Sequence, residues 1–181
     1  MESRLDADIS IRLGPLDGES IDRYIQLGRD TYKEHYLHLW KDKIPVEYFQ
    51  TYYTREKVRA ELEDPNLSHF IIFSKETPIG IVKLNVNELS DIALESPSVL
   101  LEKIYILHAY SGKGIGSQVI RLIEGQLKRQ GVRTLWLETM KKGRTLSFYQ
   151  GQGFDVIGEK QLHYQNIKEE ERPMFILSKK L

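Results

Sequence analysis

Val99-Leu-Leu-Glu-Lys-Ile-Tyr-Ile-Leu107 is a run of apolar and β-favouring residues, and Ser111-Gly-Lys-Gly-Ile-Gly-Ser117 follows it almost at once. Beyond the glycines, Ile115, Val119, Leu122, Ile123 and Leu127 recur at helical spacing until Gly131. A strand, a glycine turn and an amphipathic helix in direct succession bring unpaired backbone N–H groups and the positive end of a helix dipole to one point. Glycines let the main chain approach an anion closely, and Lys113 adds a cation beside it. A diphosphate fits such a cradle. The spacing matches neither a Walker loop nor a dinucleotide fingerprint. By itself it also describes a plain strand-to-helix turn, so the flanking elements have to decide.

Upstream, Ile9 to Leu13 alternates as a first strand that Gly14-Pro15 is expected to stop. Ile21, Tyr24, Ile25 and Gly28, continued by Tyr32, His35 and Tyr36, trace a helix, and a second helix is expected from about Pro45 to Glu63. His69 to Phe73 and Ile79 to Val86 read as a hairpin. Downstream, Thr134-Leu-Trp-Leu-Glu138 is a strand, Arg144 to Gln150 a short helix broken at Gly151 and Gly153, and strands are expected near Phe154 to Ile157 and Met174 to Leu177. This order predicts an α+β fold with helices covering a mixed sheet.

At 181 residues the chain fits one domain spanning 1–181. Its 26 basic and 26 acidic side chains cancel, so no net field favours nucleic acid or an anionic membrane. The absence of cysteine excludes disulfides, thiolate metal sites and an acyl-cysteine intermediate, and no metal is expected. No signal-like or membrane-spanning apolar run is present, which makes the cytoplasm the expected location.

After the strand around Trp136 comes Leu146-Ser-Phe-Tyr-Gln-Gly-Gln-Gly-Phe154. With the strand 101–107, the glycine turn and its helix, Phe148-Tyr149-x-x-x-Gly153-Phe154 resembles the GNAT superfamily of acyl-CoA-dependent N-acetyltransferases. The resemblance covers about Val99 to Phe154 specifically, and most of the chain by element order. It implies a mixed, mostly antiparallel sheet of about seven strands flanked by about four helices. It also implies that Ser111, Gly112, Lys113, Gly114, Ile115, Gly116 and Ser117 hold the pyrophosphate of acetyl-CoA, while the pantetheine arm lies along Ile104, Tyr105 and Ile106. Ser111 departs from the glutamine or arginine of the family pattern. Arg144 stands where many relatives carry an asparagine, so it either meets a phosphate or lies exposed.

In the same resemblance Tyr149 is the proton donor to the departing thiolate. A phenol's reference pKa of about 10 lies above the roughly 8.5 of a typical thiol, so the phenol remains protonated at neutral pH and can donate a hydrogen bond. Glu102, a lone acid in an apolar strand, is the candidate to take the amine proton directly or through water, with an ion pair to Lys103 or a neighbouring strand as the structural alternative. His108 is a weaker base candidate. Tyr32, His35, Tyr36, Trp40, Tyr48, Tyr52 and Tyr53, with Asp30, Glu34, Glu88, Asp91 and Glu95, would suit an aliphatic polyamine or form a helix core with solvated acids. Glu102-Lys-Ile-Tyr-Ile106 and the polar loop before it are similar to bacterial spermidine and spermine acetyltransferases of the PaiA type. A small-molecule amine acceptor is therefore expected, with homodimerisation open. Peptide N-termini, aminoglycosides, a non-catalytic acyl-CoA sensor and a nucleotide-binding switch are the rival readings.

Overall fold

The computed structural model describes residues 10–86 and 92–181. Seven strands form one sheet in the order β1-β2-β3-β4-β5-β7-β6: β1 (Ile11–Pro15), β2 (Leu67–Ser74), β3 (Thr77–Asn85), β4 (Ser98–Ile106), β5 (Thr134–Met140), β6 (Asp155–Gln161) and β7 (Pro173–Lys180). Every neighbouring pair is antiparallel except β4 with β5. That exception follows from α4 (Ile115–Arg129), because two strands joined through a helix run the same way. The expected α+β class and mixed sheet are those observed.

Helix α1 (Ile21–Tyr36) and two short helices, α2 (Val46–Tyr52) and α3 (Arg55–Leu62), precede the β2–β3 hairpin. The single helix expected over Pro45 to Glu63 is interrupted at Tyr53 and Thr54. Thr54 adopts an extended backbone and its hydroxyl accepts the Lys57 N–H, so it starts α3 as an N-cap. The first strand also differs from expectation, running through Gly14 and Pro15. β1 is an edge strand, where a residue without an N–H is tolerated.

The middle of the sheet is buried on both sides. On one face Ile72, Val82 and Leu101 pack against Val119 and Ile123 of α4. On the other, Ile71 and Ile81 meet Tyr24, Leu27 and Tyr32 of α1 and Val58 of α3. This two-sided burial explains why β2 and β3 read as nearly continuous apolar runs. α5 (Thr145–Gly151) packs at the end of α4, where Gly116 admits the Phe148 ring: a Cβ there would lie 3.0 Å from Phe148 Cζ.

β4 and β5 pair only through Ser98, Val99 and Leu100 with Thr134, Leu135 and Trp136. Beyond that point the two strands part, and residues 101–105 of β4 and 138–140 of β5 line a cavity between them. In β4 the register against β3 jumps from Lys83↔Lys103 to Leu84↔Leu101, leaving Glu102 as the extra residue of a bulge.

Candidate active site

Two cavities open from the gap between β4 and β5. The first, about 350 Å³, lies over the glycine turn and is lined by Ile104, Tyr105 and Ile106, by Ser111, Gly112, Gly114, Ile115, Gly116 and Ser117, and by Phe148 and Tyr149. The second, about 180 Å³, is a chamber walled by tyrosines of α1 and α2, by Glu102 and Lys103, and by Glu138 and Thr139 of β5. Tyr36, Ile104, Tyr105, Thr145 and Tyr149 line both. They form the junction at which one ligand can meet another.

Gly112 and Gly114 both take φ of +73°, a left-handed conformation that side chains other than glycine adopt only with strain. Nothing lies within 4 Å of the Cβ that either would carry, so the turn is an open cradle. Gly114 is the N-cap of α4 and offers no side-chain hydrogen bond there, and the first backbone N–H groups of a helix have no partner within it. These features fit a diphosphate. Ser111 lies on the rim, while Lys113, exposed, sits over the Tyr110 ring with its Nζ 5.5 Å from the centroid. Arg144 is the exposed N-cap of α5 and lines neither cavity.

Along β4 the Leu107 N–H bonds to the Ile79 carbonyl. The alternation of an antiparallel pair then turns the backbone groups of Ile104 and Ile106 toward the open side. The Ile106 carbonyl is already engaged there by His35 Nε2 at 2.8 Å. Tyr105 contributes its side chain to the tyrosine wall, its hydroxyl 2.9 Å from that of Tyr48.

The Tyr149 hydroxyl has no hydrogen-bond partner among the described residues, and burial raises its pKa well above that of a free phenol. It is a proton-bearing group, uncommitted, at the junction of the cavities. Tyr149 is fixed by edge-on contacts to Phe148 and Phe154, with ring centroids at 5.1 and 5.7 Å. This is the packing that the Phe-Tyr and Gly-Phe spacing carries.

Glu102 lines the chamber and is also ion-paired, to Lys103 on its own strand and to Lys83 at 3.0 Å. The pairs continue inward. Lys83 reaches Glu61 of α3 at 2.9 Å, and Glu61 takes His69 at 2.9 Å. His69, Lys83 and Lys103 lie side by side across β2, β3 and β4, all about 4% exposed. The two ammonium groups outweigh desolvation at Glu102 and hold its pKa below the ordinary carboxylate range. At Lys103 burial prevails and lowers the pKa to about 8.

Several acceptor-side expectations fall elsewhere. Trp40 and Tyr53 are core residues. Asp30 accepts from Gln26, Glu34 accepts the His108 N–H, and Glu95 pairs with Arg133 and Lys180 at the other end of the sheet. Glu88 and Asp91 lie outside the described residues. The acids that line the chamber are Glu102 and Glu138, and Glu138 is bonded to Lys160 at 2.7 Å. Its sequence signal was a second lone acid in an apolar strand. From the chamber a groove of about 390 Å³, lined by Tyr52, Glu61, Asp64, Glu102, Glu138 and Lys160 among others, leads away.

The sequence pattern of the Acetyltransferase (GNAT) family matches residues 30–154, and the chain belongs to that family. Its acyl donor is accordingly acetyl-CoA, and the open cradle at the glycine turn is where the residues fit the coenzyme's diphosphate. The chain is 24% identical over 153 residues to a spermidine N(1)-acetyltransferase of Thermoplasma acidophilum, covering 82% of this chain and 90% of that protein. It is 18% identical over 175 residues to an uncharacterized N-acetyltransferase of Lactobacillus delbrueckii subsp. lactis, covering 94% and 98%. The crystal structure of the PaiA N-acetyltransferase from Thermoplasma acidophilum in complex with coenzyme A shares the fold, with a TM-score of 0.73, 21% identity and coverage of 95% and 99%. A mutant spermidine N-acetyltransferase from Vibrio cholerae gives a TM-score of 0.66 at 14% identity, covering 94% and 93%.

The buried charges give a stability prediction. Glu61 is held at a pKa of about 2 by His69 and Lys83 against the ordinary 4.5, despite its burial. A depressed carboxylate stabilises the fold above its unfolded value and loses that contribution as pH falls through its folded value, here between about 4.5 and 2. Glu61→Gln is expected to cost on the order of 3 kcal/mol in urea denaturation at pH 7. The gap between variant and wild type should close as the pH is lowered toward 2.

Proposed function

We propose that the chain transfers the acetyl group of acetyl-CoA to a primary amine by direct attack within a ternary complex, and that the acceptor is an aliphatic polyamine. One observation carries the reading: the glycine-turn cavity and the tyrosine-walled chamber share the residues around Tyr149, so donor and acceptor approach from opposite sides of one point. When bound, acetyl-CoA supplies an acyl group already activated as a thioester. The backbone of residues 112–117 holds the diphosphate, and Ile104 and Ile106 offer main-chain groups to the arm. Ser111 borders that path, and Lys113 and Arg144, exposed and outside the cavity lining, are the cations we propose to meet further phosphate charge at its outer end.

Tyr149 keeps its proton at neutral pH and donates it, or a hydrogen bond, to the sulfur as the C–S bond breaks. On the acceptor side, Tyr32, Tyr36, Tyr48 and Tyr52 present ring faces and edges to the cavity, surfaces that favour an alkylammonium. Glu102 supplies the negative charge that draws the ammonium toward the junction, and it lies at the point where the amine proton has to leave. The groove beyond the chamber, with Glu138, Glu61 and Asp64 along it, gives a long acceptor room for a second ammonium. The spermidine acetyltransferases among the similar proteins support the same acceptor class. We propose that the protein works in the cytoplasm.

Turnover of acetyl-CoA should be measured against polyamines, short monoamines, an aminoglycoside and a peptide with a free N-terminus. Spermidine or spermine is expected to exceed the monoamines in kcat/KM by on the order of 10-fold or more. Equal use of short monoamines overturns the polyamine acceptor, and no turnover of any amine with coenzyme still bound would favour a sensor.

Gly114→Trp places a side chain in the cradle on a left-handed backbone. It should weaken acetyl-CoA binding in calorimetric titration by on the order of 10²-fold while circular dichroism shows a folded protein. Unchanged affinity would remove the glycine turn as the diphosphate site.

Tyr149→Phe keeps the ring contacts with Phe148 and Phe154 and deletes only the hydroxyl. We expect kcat to fall by on the order of 10²-fold with little change in acetyl-CoA affinity. A wild-type rate, where chemistry is shown to limit, would exclude Tyr149 as the acid.

A further inference from the structure

An alkylammonium cannot attack a thioester until it has lost a proton, so an acetyltransferase acting on amines needs a group beside the acceptor with room for one. The carboxylate of Glu102 touches two ammonium groups, those of Lys83 and Lys103. Ion pairing of that kind favours the charged carboxylate and makes it a poor proton acceptor. Other groups at the chamber are no better placed. Glu138 is bonded to Lys160, and the hydroxyls of Tyr32, Tyr36 and Tyr48 keep their protons because burial opposes phenolate.

Lys103 differs from all of these. It stands directly opposite Lys83 across β3 and β4, so two ammonium groups lie side by side in the interior. Neutralisation between them is unequal. Among the described residues Lys83 has Glu61 and Glu102, whereas Lys103 has a share of Glu102 alone. Its remaining support is the Tyr52 ring, with Nζ 3.9 Å from the centroid. Of the pair, Lys103 is also the one that lines the chamber, while Lys83 faces the groove.

We propose that Lys103, in its neutral form, takes the proton from the acceptor's ammonium, with Glu102 as the residue that positions it; this rests on the amine-acetylating function proposed above. The ammonium R–NH3+ passes one proton to Lys103 Nζ, giving R–NH2 and a charged lysine. The second proton, shed from the amine nitrogen as the N–C bond forms and the C–S bond breaks, restores the Tyr149 hydroxyl after it has protonated the departing sulfur. Lys103 then returns its proton to water in the chamber, which shares Tyr52, Glu102 and Glu138 with the groove beyond it. A pKa near 8 leaves about a tenth of Lys103 neutral at pH 7, enough to act near neutrality. The groups that face Lys103 set this balance. Glu102 and, further off, Glu61 raise its proton affinity, while Lys83 and burial lower it. His69 is hydrogen-bonded to Glu61, and Glu138 is already spent on Lys160.

The test combines a titration of the free protein with kinetics. In protein carrying 13C-labelled lysine, one Cε resonance that is missing from Lys103→Met should titrate near pH 8, well below the exposed lysines. Turnover of the best amine at pH 7 should fall on the order of 10²-fold in Lys103→Met and equally in Lys103→Arg, which keeps the charge but cannot release a proton. Both losses should shrink toward pH 10, where free amine is abundant. Glu102→Gln should shift the rising limb of the pH profile to lower pH, because Lys103 loses its counter-charge. Wild-type turnover in Lys103→Arg, or a Lys103 resonance that stays charged to pH 10, overturns the proposal, and a limb abolished by Glu102→Gln returns the proton to the carboxylate. If no amine is acetylated by the wild-type protein, the function itself fails, and the titration alone still decides whether Lys103 can exist neutral.

Discussion

Parallel pairing between β4 and β5 lasts for three residues, and the site depends on its ending there. Had the ladder continued past Leu100 and Trp136, the backbone groups of Ile104 and Ile106 would have been consumed by β5. No cavity would separate Glu102 from Glu138. The separation is held from both faces of the sheet: α4 and α5 pack on one side, with Phe148 seated against Gly116, and the tyrosines of α1 and α2 fill the other. A gap in a sheet leaves polar main-chain groups without strand partners, and such groups need a ligand, water or a side chain. His35 meets one of them at the Ile106 carbonyl, tying α1 to the strand that borders the glycine-turn cavity.

The bulge at Glu102 is the second consequence of that geometry. Placing one extra residue in β4 brings a carboxylate to both Lys83 and Lys103, which would otherwise face each other with Glu61 at Lys83 as their counter-charge. Two buried ammonium groups so close are costly, and breaking such a cluster by removing one partner typically costs about 3–5 kcal/mol. Glu61 answers the same demand from α3, which ties the placement of that helix to the charges in the sheet. Stability of the first half of the chain and the electrostatics of the chamber are therefore one problem.

Much of this was legible in the chain. The glycine turn, the amphipathic α4 and the Phe-Tyr helix were readable because each rests on local spacing, and the sheet's composition followed from element order. The break between α2 and α3 was missed, since Thr54 acts as a cap through a hydroxyl contact that helical periodicity does not register. Continuation of β1 through Gly14 and Pro15 was missed because an edge position is a property of the sheet and not of the segment. At the site, Glu102 stood out as a lone acid. The partners that define it, Lys83, Glu61 and His69, come from three other elements and meet only through register and helix placement. Tyrosines were visible as a group, but periodicity could not sort Tyr48 and Tyr52, which wall the chamber, from Tyr53, which fills the core beside Gly28.

Burial of Lys103 sets function against stability in a way the pH dependence makes explicit. A lysine whose pKa is lowered to about 8 from 10.5 is bound by fewer protons in the folded state across that interval, so its contribution to stability rises with pH between the two values. Lys83, raised by its two carboxylates, pulls in the opposite direction at higher pH. Near neutrality the fold thus carries an ammonium at Lys103 that costs it stability, next to a lysine whose charge is well supported. A core selected for stability alone would favour an apolar residue at 103, since replacing a buried charge by a well-packed apolar group is often neutral or stabilising. The position of Lys103, against the chamber wall and under the Tyr52 ring, puts this weakly held proton where the proposed transfer would use it.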